Sequence, residues 1–203
     1  GKWFTLEFTG NKHDPYSDIG LVSAEGGKDI INLTNSGYMS GYPHFALDGN
    51  AILFTTERYG MRAHASWGSL NDAMLVFLNQ DAYDKYCLSK EEYELRQELE
   101  KEQKKSAGKD TPQGKNKDKK KKDDKKDSNA EEKDDKPKDI VVELKGIEDR
   151  VVSHTQNSSD MGSTIISKDG ETLYYMAAFD GGYTLWKMQL RNHETTLLHN
   201  ETA

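Results

Sequence analysis

The sequence predicts an all-β protein built from repeated four-stranded units, and three observations lead to this prediction. The stretch 28–56 matches the stretch 149–177 without a gap at an offset of 121 residues. Asp48-Gly49 and Asp169-Gly170 coincide in this match, and Asp-Gly between apolar runs favours a β-hairpin turn because glycine adopts positive φ freely. The first residues repeat the unit again, since Gly1 aligns with Gly49 at a spacing of 48. Self-similarity at a fixed spacing indicates a repeat architecture.

The length of the repeat indicates which architecture it is. A unit of about 48 residues lies in the range of about 40–50 residues that is typical of β-propeller blades. The offset of 121 is then one repeat plus an insertion of about 73 residues. The sequence therefore predicts a partial β-propeller of two to three four-stranded antiparallel blades, with a charged, largely disordered insertion.

Each predicted blade is a meander of four short strands. In the middle blade the strands are expected at Tyr42–Leu47, Asn50–Glu57, Asp72–Asn79 and Asp139–Thr155. Counterparts of the third strand lie at 17–24 and 182–190, and counterparts of the fourth at 28–34 and 194–199. The predicted blades are residues 1–41, which lacks its first strand, residues 42–161, which the insertion 88–138 interrupts, and residues 162–203.

The insertion divides into two parts. Leu88–Lys105 consists largely of helix formers, and Ser89 with Glu92 fits a capping box, so a short helix is expected there. Beyond Ser106 the residues are mainly Lys, Asp, Gly and Pro. Such a composition cannot bury enough apolar surface to become ordered, which predicts a disordered Lys/Asp-rich tether.

Charge and composition exclude several classes of function. The chain of 203 residues has 28 basic and 35 acidic residues, of which 17 and 15 lie in 90–138. The remainder is clearly acidic, which argues against a nucleic-acid surface because phosphate binding needs a basic face. No run approaches the roughly 18 apolar residues of a membrane span. Cys87 is alone, so an intrachain disulfide and a thiolate metal cluster are both excluded.

Five stretches of the sequence are distinctive when they are taken together: GKWFTLEFTGNKHDPYSDI (1–19), ERYGMRAHASWGSLND (57–72), VFLNQDAYDKY (76–86), GIEDRVV (146–152) and SKDGETLYYMAAFDGGYTLW (167–186). They resemble a known family, the bacterial tricorn-like serine proteases of the Bacteroides type, whose propellers carry TolB-like or tricorn-like Asp-Gly repeats. The resemblance covers nearly the whole chain outside the charged tract.

The resemblance implies a role without catalysis in this stretch. In that family such blades precede a PDZ-like domain and a serine-peptidase core, and none of the family's catalytic residues falls within this sequence. The chain is therefore expected to guide or gate peptide access to a peptidase core elsewhere. Its expected partners are peptides and the remaining propeller, PDZ-like and peptidase domains. The parent is expected to be periplasmic or otherwise exported, with a cytoplasmic location as the alternative.

A second function remains open from the sequence. A TolB-like propeller could instead serve as a protein–protein interaction platform with no peptidase attached. The reading frame downstream of Ala203 distinguishes the two, since a peptidase domain there supports the first. Because the two end blades are expected to leave a sheet face exposed, the isolated chain is also expected to self-associate.

The residues themselves predict no catalytic, cofactor-binding or metal site. There are six histidines and many serines, but no G-x-S-x-G elbow. His193-Glu194 is not followed by a second histidine at helical spacing, as a zinc-binding helix requires. The histidines, His44 and His154 among them, are better explained as structural or surface residues.

The loops between second and third strands offer a more specific hypothesis. They share one edge of the propeller and lie at 10–17, 58–71 and 179–183. The middle loop is long and holds Arg58, Tyr59, Arg62, His64 and Trp67. Loops on a rigid scaffold commonly carry function, and Arg, Tyr and Trp are frequent contact residues. We expect this edge to contact peptide or a neighbouring domain, the alternative being that Tyr59 and Trp67 only cap the blade.

Overall fold

The computed structural model describes residues 1–10, 16–27, 29–62, 68–107, 139–179 and 182–200. The chain divides into two compact units, Gly1–Cys87 with Ile140–Ala203, and Leu88–Asp139. The predicted disordered tether lies almost entirely outside the described residues. No helix in the part that is described has the length and apolar character needed to cross a bilayer.

The first unit contains three antiparallel sheets, each a meander of consecutive strands, which we call blades 1, 2 and 3. Blade 1 consists of β1 (Trp3–Phe8), β2 (Asp18–Ser23) and β3 (Ile31–Asn32). Blade 2 consists of β4 (Ser40–Ala46), β5 (Ala51–Thr56), β6 (Asp72–Phe77) and β7 (Val151–Ser153). Blade 3 consists of β8 (Asp160–Ile166), β9 (Thr172–Ala178), β10 (Tyr183–Gln189) and β11 (Thr195–Asn200). The prediction of an all-β partial propeller is confirmed.

Blade 2 is buried on both faces. Every residue of β5 and β6 is buried, and successive side chains of a strand point to opposite faces of the sheet. Alternate residues therefore belong to two separate cores. The core shared with blade 3 contains Ala51, Leu53, Leu75, Phe77, Leu173 and Met188. The core shared with blade 1 contains Ile52, Phe54, Val76, Leu78, Ile19 and Leu21.

The end blades each bury only one face. Ile19 and Leu21 of blade 1 are fully buried against blade 2, whereas Phe4 in the neighbouring strand is 61% exposed. Leu173 of blade 3 is likewise buried, whereas Ile165 is 60% exposed. Full burial of one such side chain is worth about 1.5–3 kcal/mol, so each uncovered face forgoes a large stabilisation.

A buried polar network closes blade 2. The Asp72 carboxylate accepts hydrogen bonds from the Thr155 hydroxyl (2.8 Å) and the Ser158 hydroxyl (2.7 Å). The Thr155 oxygen in turn accepts from the Ala73 amide at 3.2 Å. Asp72 begins β6 and Thr155 follows β7, so these bonds fix the outermost strand of the blade to its neighbour.

The same network recurs in blade 1 at the corresponding positions. Asp18 accepts from the Thr34 hydroxyl (2.9 Å), and the Thr34 oxygen accepts from the Ile19 amide (3.1 Å). The Asn32 side chain also donates to Asp18, at 2.8 Å. Thr34 and Thr155 are the residues that coincide at the offset of 121. The match of these two threonines therefore has a physical cause, a carboxylate–hydroxyl–amide chain that closes blades 1 and 2.

The prediction of one long strand over Asp139–Thr155 is wrong. Only Val151–Ser153 pairs with β6. Gly146 turns the chain at φ 69°, and a 3-10 turn follows at Ile147–Arg150. The buried Arg150 guanidinium donates to the carbonyl oxygens of Phe77 (3.2 Å), Lys145 (3.0 Å) and Glu143. Where a strand was expected, the Arg150 side chain therefore makes the hydrogen bonds to carbonyl oxygens that a neighbouring strand would have made.

In the described part of the chain, two helices lie between β6 and β7 of blade 2. α1 (Gln80–Tyr86) was not predicted; Asn79 caps it by accepting from the Ala82 amide at 2.9 Å. α2 (Lys90–Ala107) belongs to the second unit and begins at the predicted capping box. The Glu92 amide donates to the Ser89 hydroxyl (3.3 Å), and the Ser89 amide donates to the Glu92 carboxylate (2.9 Å). These hydrogen bonds lower the pKa of Glu92.

His154 occupies a buried position where three elements meet. Its Nδ1 lies 3.1 Å from the hydroxyl of Tyr86 in α1, and that hydroxyl lies 3.4 Å from the Leu190 carbonyl oxygen of blade 3. Its backbone amide donates to Ala73 in β6 at 2.9 Å. Burial, with a smaller effect of His193, lowers the pKa of His154 to about 3. The imidazole is therefore a neutral packing group.

Substitution of Asp72 by alanine tests the closing network. Asp72→Ala leaves the buried Thr155 hydroxyl and the partly buried Ser158 hydroxyl without their shared acceptor, so we expect a loss of about 2–3 kcal/mol in the free energy of unfolding. Urea denaturation measures this loss in the free energy of unfolding. Asp29→Ala is the matched control, because Asp29 is an exposed aspartate. Equal stability of the two variants would show that the network contributes nothing.

The burial of His154 predicts a specific dependence of stability on pH. Its folded pKa of about 3 lies below the ordinary value of 6.5, so the unfolded chain takes up the proton first as the pH falls. Stability is therefore full above about pH 6.5 and declines between pH 6.5 and 3, by at most about 1.4 kcal/mol per pH unit for this proton. His154→Phe should flatten this slope, whereas His199→Gln, at an exposed strand residue, should leave it unchanged in denaturation curves.

Candidate functional site

The strand connections at one edge of the three blades form what we call the rim (described residues 9, 10, 16, 17, 35–42, 58–62, 68–71, 154–163, 179, 182 and 183). The meander places the β1–β2, β3–β4, β5–β6, β7–β8 and β9–β10 connections at this edge. The β5–β6 connection starts as a short hairpin, since Arg62 and Ser69 form an antiparallel bridge. Asn71 and Ser159 exchange backbone hydrogen bonds of 2.7 and 3.1 Å, so this connection is anchored to the start of blade 3.

Three of the five predicted rim residues can be placed. Arg58, Tyr59 and Arg62 are all exposed, and the Arg58 guanidinium lies 5.4 Å from the centre of the Tyr59 ring. The Arg62 guanidinium lies 5.7 Å from the centre of the Tyr38 ring, in the β3–β4 connection. Both distances suit cation–π contacts. His64 and Trp67 lie outside the described residues.

The rim also presents large apolar side chains to solvent. Tyr59 is 58% exposed, which is unusual for a residue next to a fully buried strand. The exposed aromatic and methionine side chains at or beside the rim are Tyr16, Tyr42, Tyr59, Met61, Phe179 and Tyr183. Several exposed aromatic side chains at one edge, together with arginine, are of the residue types that are enriched at contact sites.

Tyr42 is a rim residue that the sequence did not single out. It is 77% exposed and has a φ of 55°, a conformation that costs a residue with a Cβ atom about 1–2 kcal/mol. Tyr42 lies in a bulge of β4, where the pairing with β5 shifts between Gly41 and His44. Strand β8 shifts at the matching place, between Met161 and Thr164. The match of Gly41 with Gly162 at the offset of 121 was the available signal.

The side chains around Tyr42 come from all three blades. The Glu7 carboxylate of blade 1 sits against Gly41, where an added Cβ would lie 2.7 Å from its Oε2. The Tyr183 ring of blade 3 lies over Gly162, where an added Cβ would be 3.4 Å from the ring. We call Glu7, Tyr42, Asp160 and Tyr183 the inner-rim cluster.

Desolvation and electrostatic interactions with Asp160 and Tyr42 affect the pKa of Tyr183 in the inner-rim cluster. Desolvation, followed by the charge of Asp160 and hydrogen bonding to it, raises the pKa of Tyr183. Tyr42 is near enough to raise that pKa further. The Tyr183 phenol is therefore neutral at physiological pH, and the cluster combines two tyrosine rings with two acidic side chains.

The other candidate residues do not form a reactive centre in the described parts of the chain. His44 Nδ1 lies 3.3 Å from the Tyr42 carbonyl oxygen, so in the Nδ1–H tautomer it donates to the bulge. His154 is the buried packing group described above. Within the described ranges, no group of three or more His, Cys, Asp or Glu side chains is arranged to hold a metal ion.

Comparison with known proteins identifies the fold. No protein family matches the sequence, and no curated protein is similar to it. The crystal structure of the tricorn protease is similar to 96% of this chain, with a TM-score of 0.51 and 10% sequence identity. The chain spans only 17% of the length of that protein's chain. At this identity the likeness concerns the fold: this chain has the fold of a propeller segment found in a tricorn protease.

Proposed function

We propose that this chain is a non-catalytic propeller segment of a tricorn-like serine protease. In this proposal its rim guides or gates peptides on their way to a peptidase core outside the segment. The observation that carries the proposal is the likeness of almost the entire chain, 96%, to a portion of the tricorn protease. The parent protein would be the hydrolase, and the blades would supply contacts rather than chemistry.

The uncovered faces of the end blades support the idea of a larger ring. Phe4 of blade 1 and Ile165 of blade 3 lie on the outer faces of the end blades and are exposed. In blade 2, by contrast, both faces are covered by a neighbouring blade. Further blades of the parent would cover these faces in the same way, and the PDZ-like and peptidase domains would follow. In the isolated chain, the two faces would instead pair between copies, which is the self-association that the sequence predicts.

The rim has the chemistry that an extended peptide requires. Arginine side chains such as Arg58 and Arg62 can bind carboxylates and carbonyl groups, while the exposed rings of Tyr59 and Tyr42 offer flat apolar contacts. The loops stand on strands that are buried on both faces, so the contact groups are held on a rigid support.

A second candidate function is a TolB-like platform that binds another protein. The observation that favours it is Met61, an exposed apolar side chain that precedes Arg62 in the chain, since methionine and arginine are enriched in protein interfaces. A peptidase domain in the same reading frame supports the protease segment, and peptide turnover by the parent separates the two functions.

We also propose that the parent protein is exported, in bacteria to the periplasm, with the cytoplasm as the alternative. This proposal rests on the family resemblance alone. Fractionation of cells that produce the parent, followed by detection of this segment, decides between the two compartments.

The double variant Arg58→Ala/Arg62→Ala in the parent protein tests the role of the rim. We expect kcat/KM to fall roughly fivefold for peptides of about ten residues, because two contacts worth about 0.5 kcal/mol or more each are lost. Turnover of a dipeptide-sized substrate should stay unchanged, because such a substrate needs no guidance. Trp67→Ala belongs in the same series.

Lys168→Ala is the matched control, since Lys168 is an exposed cation in the β8–β9 turn at the opposite edge of blade 3. An unaltered ratio of long-peptide to short-peptide turnover in the rim variants would contradict the proposed role.

A further inference from the structure

The conformation of Tyr42 is not explained by the stability of the fold. A glycine would adopt its φ of 55° without strain, and the side chain is too exposed to gain much from packing. Exposed residues held in strained conformations occur preferentially at functional sites. The bulge is fixed from both sides, because the Tyr42 carbonyl oxygen lies 3.3 Å from His44 Nδ1 and Gly41 lies against Glu7.

Tyr42 differs in backbone conformation from the serine at the matching position in blade 3. Ser163 coincides with Tyr42 at the offset of 121, lies in the corresponding bulge of β8 and is exposed as well. Ser163 does not share the positive φ of Tyr42. The left-handed conformation is therefore particular to Tyr42 and is not required by the bulge.

The arginines of the rim already occupy other rings. Arg58 lies over Tyr59 and Arg62 lies over Tyr38. Among the described residues, no cation lies over the ring of Tyr42 or Tyr183. Glu7 lies against Gly41, the residue before Tyr42, and Asp160 interacts with the Tyr183 hydroxyl, so the surface is aromatic and carries acidic side chains. Both features attract a cation, the rings by their π faces and the carboxylates by their charge.

We propose that the inner-rim cluster binds a lysine or arginine side chain of a peptide that reaches the rim. The alkyl part of that side chain would lie along the Tyr42 ring, and its charge would be attracted by the carboxylates of Asp160 and Glu7. This inference rests on the proposed function for its ligand, an extended peptide. It adds the chemistry by which one peptide is preferred over another.

Peptide binding by the whole chain tests the inference. The probes are fluorescein-labelled decapeptides of Gly, Ala and Ser with one central residue, which is lysine, norleucine or glutamate. Norleucine keeps the alkyl chain and lacks the charge. Fluorescence anisotropy should show the lysine peptide bound roughly fivefold or more tightly than the norleucine peptide, as one exposed cation–π contact with a nearby carboxylate would give.

Two substitutions should remove the preference and two should keep it. Asp160→Asn and Tyr42→Leu should bring the lysine and norleucine peptides to within about twofold of each other, since each removes part of the attraction for the cation. Tyr42→Phe retains the ring face and should keep the preference. Glu148→Gln, an exposed carboxylate in the 3-10 turn before β7, should keep it as well.

Tyr42→Gly separates a binding role from a structural one. Glycine relieves the strain at this φ, so the melting temperature should rise by about 2 °C while the lysine preference is lost. A lower melting temperature would show that Tyr42 supports the fold, and the inference would then fail.

The outcomes for the unsubstituted chain distinguish the two proposals. Equal affinity for the lysine and norleucine peptides would overturn the inference and leave peptide guidance by the rim intact. Preference for the glutamate peptide would also overturn it, in favour of contacts with Arg58 and Arg62. Binding of none of the three peptides would contradict the proposed function and the inference together.

Discussion

The burial of both faces of β5 and β6 is the constraint on which the rest of the structure depends. All residues of these two strands are buried, and their alternate side chains face different neighbours. Such strands are stable only between two other sheets, so blades 1 and 3 follow from the composition of blade 2. The order of the blades, the two cores and the uncovered outer faces are consequences of this arrangement.

Polar networks then fix the outermost strands of blades 1 and 2 and leave their rim connections free to vary. The chains from Asp18 to Thr34 and from Asp72 to Thr155 close two blades in the same way and place the next strand. The rim connections begin where these networks end. The rim connections differ in length and composition, and these differences do not affect the cores. Exposed residues such as Arg62 and Tyr42 can therefore vary while the blades keep the same structure. A propeller segment can acquire a specific surface in this way while its blades stay alike.

The sequence predicted what depends on local pattern and missed what depends on distant partners. The Asp-Gly turn at Asp48 and the capping box at Ser89 were found because their signals lie within a few residues. The strand expected over Asp139–Thr155 was wrong because the buried Arg150 takes its carbonyl partners from β6 and the preceding turn. Tyr42 was missed because a bulge is a property of pairing with β5, which no single strand reveals. Arg58, Tyr59 and Arg62 were expected at an exposed edge, where they lie; their role there remains a prediction.

Hydrogen exchange measured strand by strand tests the central claim most directly, at a concentration low enough to keep the chain monomeric. If blade 2 is the sheet on which the others depend, the amides of Ala51–Thr56 and Asp72–Phe77 should exchange slowest. Those of β1 and β11, on the blades with an uncovered face, should exchange roughly tenfold faster or more. Protection of β1 and β11 equal to that of β5 and β6 would contradict the account.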